Sequence, residues 1–116
     1  MIVITDAGIK IFTRKVIEEI KTIHLYTAHG EMSGHNYSPE AIFPNDWKDG
    51  VHPDITWTFT AGEPVQVLGW YFTNSKGEVL ITETFNILNE GDYEVRRDGD
   101  KITVKPSISL ISLMAG

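Results

Sequence analysis

Val67-Leu68-Gly69-Trp70-Tyr71-Phe72-Thr73-Asn74-Ser75-Lys76-Gly77-Glu78-Val79-Leu80 sets three aromatic rings in a row between a glycine and a turn. In an extended chain successive side chains point to opposite faces. Val65, Val67, Gly69 and Tyr71 then share one face, and Leu68, Trp70 and Phe72 share the other. Both faces are apolar, which describes a central strand with a helix or loop over its outer side. A platform for sugars or bases would instead oppose its aromatics with polar residues, so the rings read as core. Gly69 has no side chain and lets a neighbouring ring or backbone come close. Asn74-Ser75-Lys76-Gly77 is a turn, and Glu78 to Phe85 returns as the second arm of a hairpin.

The same period of two recurs on both sides of this hairpin. Ile55, Trp57 and Phe59 alternate with Thr56, Thr58 and Thr60, and Ala61 to Pro64 makes a turn. Tyr93 to Arg96 and Lys101 to Val104 flank an Asp98-Gly99 turn, and Ile108 and Leu110 continue the apolar face past Pro106. Upstream, Asp6 to Lys21 reads as a helix capped by Thr5 or Asp6, with Ile9, Phe12, Val16 and Ile20 as its apolar stripe. Thr22 to Thr27, rich in β-branched and aromatic residues, reads as a strand. Ala28 to Pro53 carries glycines and prolines throughout and reads as a long ordered loop. A helical turn is predicted at Pro39 to Ile42 with Ser38 as its cap. Tyr37, Ile42, Phe43 and Trp47 imply that much of the loop is packed down.

Close-set short strands favour stacked antiparallel sheets over a parallel α/β sheet. The predicted fold is therefore all-β: a jelly-roll-like β-sandwich of short antiparallel strands with one N-terminal α-helix and a long loop. With 116 residues, and no repeat or linker, residues 1–116 are expected to form a single domain.

Composition narrows the partners. Ten Lys and Arg against sixteen Asp and Glu give a net charge of −6, the wrong sign for gripping a phosphate backbone. No apolar run approaches the roughly 20 residues of a membrane helix, and the start lacks a basic, apolar leader. The chain has no cysteine, so disulfides, thiolate metal sites and cysteine nucleophiles are absent. These features predict a protein that binds neither nucleic acid nor membrane and is made and used without export.

The candidate chemical groups are scattered. His29, Glu31 and His35, followed by His52 and Asp54, offer imidazoles and carboxylates, but at no compact metal-binding spacing. Neither Ser33 nor Ser38, Ser75 or Ser107 sits in a nucleophile elbow. Asp46, Asp49 and Asp54 flank Trp47, a pattern found in sugar-binding clefts, and His24 reads as a satisfied strand histidine. There is no phosphate-binding loop. The expectation is a protein without catalysis, cofactor or metal.

The order of segments has a likeness. Ile4 to Phe12 ("ITDAGIKIF"), Ile23 to Thr27 ("IHLYT"), Ile55 to Gly62 ("ITWTFTAG"), Val65 to Phe85 ("VQVLGWYFTNSKGEVLITETF") and Asp100 to Leu110 ("DKITVKPSISL") follow one another. Together they resemble a family of small structural proteins of tailed bacteriophages, similar to the cement or decoration proteins of cyanophage-type capsids. The resemblance covers most of the chain and is weakest from His29 to Pro53. It implies a virion component, assembled in the host cytoplasm, that binds the major capsid protein on the outer head surface and reinforces joints between subunits. It also implies a homo-oligomer, trimer or dimer, and carries no catalytic residues. A tail or baseplate component and a carbohydrate-binding module using Trp47, Trp57 or Trp70 are the alternatives. The polar tip Gly30, Glu31, Met32, Ser33, Gly34, His35 and Asn36 is the predicted partner contact.

Overall fold

The computed structural model describes residues 1–108, so the expectation for Leu110 lies outside them. Helix α1 (Asp6–Glu19) begins as predicted, with the Thr5 hydroxyl accepting from the Gly8 N–H at 3.1 Å. It ends where the chain is drawn into a sheet: Ile20 is extended and fully buried, and Lys21 N–H donates to Thr73 O. The predicted stripe departs at Phe12, while Ile20 is buried, Val16 packs against the core and Ile9 turns toward Trp47. Ile17 is the buried residue of α1, whereas Phe12 is 51 % exposed, because Ile9, Thr13 and Ile17 are the residues turned toward Trp47 and Gly50.

Strand β1 (Thr22–Thr27) is the hub of a five-stranded antiparallel sheet. On one side it pairs with β2 (Gly30–Glu31) and β3 (Glu40–Ala41). On the other it pairs with β6 (Gly69–Thr73), which pairs in turn with β7 (Val79–Thr84). The predicted hairpin is β6 and β7, closed by Asn74, whose side-chain oxygen accepts from the N–H groups of Lys76 and Glu78. Two further ladders are β4 (Ile55–Thr58) with β9 (Lys101–Val104), and β5 (Val65–Gln66) with β8 (Glu94–Val95). The chain is thus β-rich, with antiparallel sheets and one helix. Buried residues from all three sheets, among them Leu25, Trp57, Phe72, Val95 and Ile102, join one apolar cluster.

Three sequence expectations give way to tertiary pairing. Val65 to Thr73 is not one strand: Val65 and Gln66 pair with β8, while Gly69 onward pairs with β1. The break at Val67 and Leu68 resets the alternation, so Val67 and Trp70, opposite in a straight strand, are both buried. The long loop contains β2 and β3, and Pro39 to Ile42 is not helical. Thr22 pairs there with Ala41 and Ile42 N–H donates to Lys21 O, so the open edge of β1 outcompetes a local turn. The helical turn lies instead at Pro44–Asp46, led by its proline. Tyr37, Ile42 and Trp47 pack down as expected, but Phe43 is 60 % exposed.

Candidate functional site

The outer face of the five-stranded sheet carries a connected polar and aromatic grouping. Alternation sends Ile23 and Leu25 of β1 inward, which turns His24 and Tyr26 outward. The register then sets His24 opposite Tyr71, and Tyr26 opposite Gly69. The His24 and Tyr71 rings stack with centroids 4.7 Å apart and planes 6° from parallel. Gly69 explains how Tyr26 fits: a methyl group there would meet the Tyr26 ring at 2.7 Å and the Glu83 carbonyl closer still. The Tyr26 hydroxyl lies 2.7 Å from Thr84 Oγ1 on β7.

Glu31, from β2, organises the polar half. Its Oε2 lies 2.6 Å from His24 Nδ1 and accepts from the Tyr37 hydroxyl at 2.9 Å. A carboxylate only accepts, so Nδ1 carries the hydrogen of that bond. His24 Nε2 is 2.9 Å from Thr73 Oγ1, so both ring nitrogens are engaged. The Tyr37 oxygen in turn accepts from Leu25 N–H at 3.0 Å. Burial pushes the Tyr37 phenol well above its usual range and the Glu31 carboxylate pushes the same way, although the Leu25 N–H opposes. Tyr71 is raised by burial first and by Glu31 second. Both phenols are therefore held neutral. Beside them a shallow, mostly apolar basin is lined by Tyr26, Gly30, Glu31, Tyr71, Val79 and Thr82. It can stack against a flat ligand and offer hydroxyls at the rim. His24 satisfies the expectation of a bonded strand histidine.

The predicted contact tip is divided by the fold. Gly30 and Glu31 form β2 at the rim of the basin. Met32 is 3 % exposed, with its N–H bonded to Leu25 O, so it is core rather than contact surface. Apolar burial next to β1 outweighs its place in a polar segment. His35 is half-buried and bridges two carbonyls, Thr60 O at 2.9 Å and Glu63 O at 2.8 Å, which pins the tip to the β4–β5 connection. Ser33, Gly34 and Asn36 are exposed.

The other candidates are dispersed. His29 is exposed, while His52 is buried edge-on to Trp47 with its Nδ1 2.7 Å from Pro53 O. Among the described residues no three His, Asp or Glu side chains gather as a metal site. Trp47, Trp57 and Trp70 are buried, which removes them as a sugar platform. Trp57 Nε1–H donates to Ser38 O at 2.9 Å, tying the long segment to β4. The outer shelf was missed in the sequence because its half-sites lie far apart. Its one local signal is the alternation in "IHLYT".

Compared with known protein families, with curated proteins and with solved structures, the chain matches none.

Proposed function

We propose that the chain is a non-enzymatic structural protein of a tailed-phage virion, a capsid cement protein that binds the major capsid protein on the outer head surface and works as a homo-oligomer. The observation that carries this reading is an exposed apolar surface at the helical end. Ile2 is 94 % exposed, Val3 72 %, Ile11 60 % and Phe12 51 %. Ile4 and Phe12 also flank Gly8, so the N-terminal arm and the helix meet there. Exposed apolar groups gathered at the start of the chain and on α1 favour an interaction surface there. A cement protein stabilises a shell by binding only the assembled lattice, and many modest contacts suffice.

In the finer version of this reading the three ladders stack as a jelly-roll-like sandwich, supported by the apolar cluster they share. Ser33, Gly34 and Asn36 remain a separate polar contact in this proposal. The test is sedimentation of purified protein with phage heads stripped of their own cement protein. Binding lost on replacing Ile11 and Phe12 by lysine, with the fold intact, supports the proposal. Failure of the wild-type chain to bind heads sinks it.

A second reading, a carbohydrate-binding module, is favoured by the Tyr26–Tyr71 shelf beside Glu31. It requires glycan-array binding that disappears in Tyr71→Ala.

A further inference from the structure

Among the described residues, the outer strand of the five-stranded sheet has an unpaired edge. The order β2-β1-β6-β7 leaves β7 at the end, and among the described residues no strand lies beyond it. Five of its six residues are exposed, with Val79 at 60 % and Leu80 at 38 %. Natural sheets protect such edges with lysine, proline or a covering segment. The β7 sequence, Val79-Leu80-Ile81-Thr82-Glu83-Thr84, has neither residue, Glu83 is its one charge, and its one register shift lies at the Val79 end, away from Thr82.

The orientation of its backbone can be read from two bonds. Phe85 N–H donates to Leu68 O at 2.7 Å, and Glu83 O is reached from the inner side by the Tyr26 hydroxyl at 3.4 Å. Phe85 and Glu83 therefore turn their backbone groups toward β6. Alternation turns the N–H and C=O of Thr82 and Thr84 toward the open edge, as far as the register shift that pairs Val79 rather than Leu80 with Thr73.

We infer that this edge pairs with β7 of a second copy, antiparallel, about a two-fold axis at Thr82. In this register Leu80 faces the second copy's Thr84, and Thr82 faces its own equivalent. The outward Thr82 then finds a hydrogen-bonded partner in its own equivalent, clear of the register shift at Leu80. Glu83 faces the second copy's Ile81 and never another carboxylate, so the edge is self-complementary in charge. Threonine opposite threonine is a favourable cross-strand pair. The product is one continuous sheet with two Tyr26–Tyr71 shelves side by side on the same face, a bivalent surface from a single-site chain. The pairing stands on the edge alone, so capsid binding can fail without affecting it.

The chain contains no cysteine, which makes a direct test clean. In a hydrogen-bonded antiparallel pair the Cα atoms are about 5.5 Å apart, inside the range a disulfide spans. Thr82→Cys should convert to a covalent dimer with diamide as oxidant, whereas Thr58→Cys, also exposed but on β4, should stay uncrosslinked. Sedimentation velocity should show a wild-type dimer and a monomer for Thr82→Pro, which removes the N–H donated across the axis while sparing the β6–β7 bonds. If circular dichroism shows that the proline variant is unfolded, Thr82→Lys decides instead by setting two cations face to face. A monomeric wild type, a dimer unchanged by the folded Thr82 variants, or a dimer dissolved by Ile11→Lys would overturn the inference.

Discussion

Trp70 and Tyr71 are neighbours in the chain and occupy opposite environments. On the inner face of β6, Trp70 is 4 % exposed and Phe72 0 %, their ring centroids 4.7 Å apart within the shared core. On the outer face Tyr71 is half-buried, stacked on His24 and bordered by hydroxyls and the Glu31 carboxylate. A run of three aromatics is thus neither all core nor all platform. The inner face is held by dispersion and exclusion of water, which tolerate no polar vacancy. The outer face is held by directional bonds that leave one side open. The difference shows how one β-strand can supply both stability and a recognition surface.

Truncation separates the two faces most sharply. Trp70→Ala should cost about 3 to 5 kcal/mol by opening a cavity, a large share of a domain's stability. Tyr71→Ala should cost only roughly 0.5 to 1.5 kcal/mol for the lost stack. Urea titrations of the two variants read both values, and equal losses would erase the distinction between the faces.

Gly69→Ala probes how tightly the outer face is closed. The added methyl would press on the Glu83 carbonyl and the Tyr26 ring, and backbone has little room to give. The expected cost is about 1 to 3 kcal/mol, as for other overpacked sites. Thermal unfolding that matches wild type would mean that Tyr26 does not seal this position.

The subtlest test concerns the polar network. Tyr37→Phe leaves Leu25 N–H and one Glu31 contact without a partner, and should cost about 1 to 3 kcal/mol. It should also change the alkaline limb. The folded state holds the Tyr37 proton more tightly than the unfolded chain, whose phenol titrates near pH 10. Above about pH 10 the unfolded chain binds fewer protons, so stability present at neutral pH falls as pH rises. Tyr37→Phe should flatten that decline, seen as a smaller difference between unfolding midpoints at neutral and strongly alkaline pH. An unchanged slope would place the phenol's burial in doubt.

Local chemistry determined what short stretches could settle alone. Thr5 before an acidic, partly apolar segment made a helix start, because a side-chain acceptor meets free N–H groups there. The alternation of Ile55 and Trp57 with threonine made β4, and Asn74 to Gly77 made a hairpin, since both depend on residues a few positions apart. Likewise the burial of Trp57, Phe59 and Trp70 followed from their apolar surface. What the sequence left open was decided by partners distant along the chain. Glu40 and Ala41 became a strand because β1 offered an edge, and Val65 to Thr73 was split because its two ends serve different sheets. His24, Glu31, Tyr37, Tyr71 and Thr73 became one network only through a register that brings residues 49 positions apart into contact. Sequence alternation fixes which side a residue faces, but only the packing of sheets fixes which neighbour it meets there.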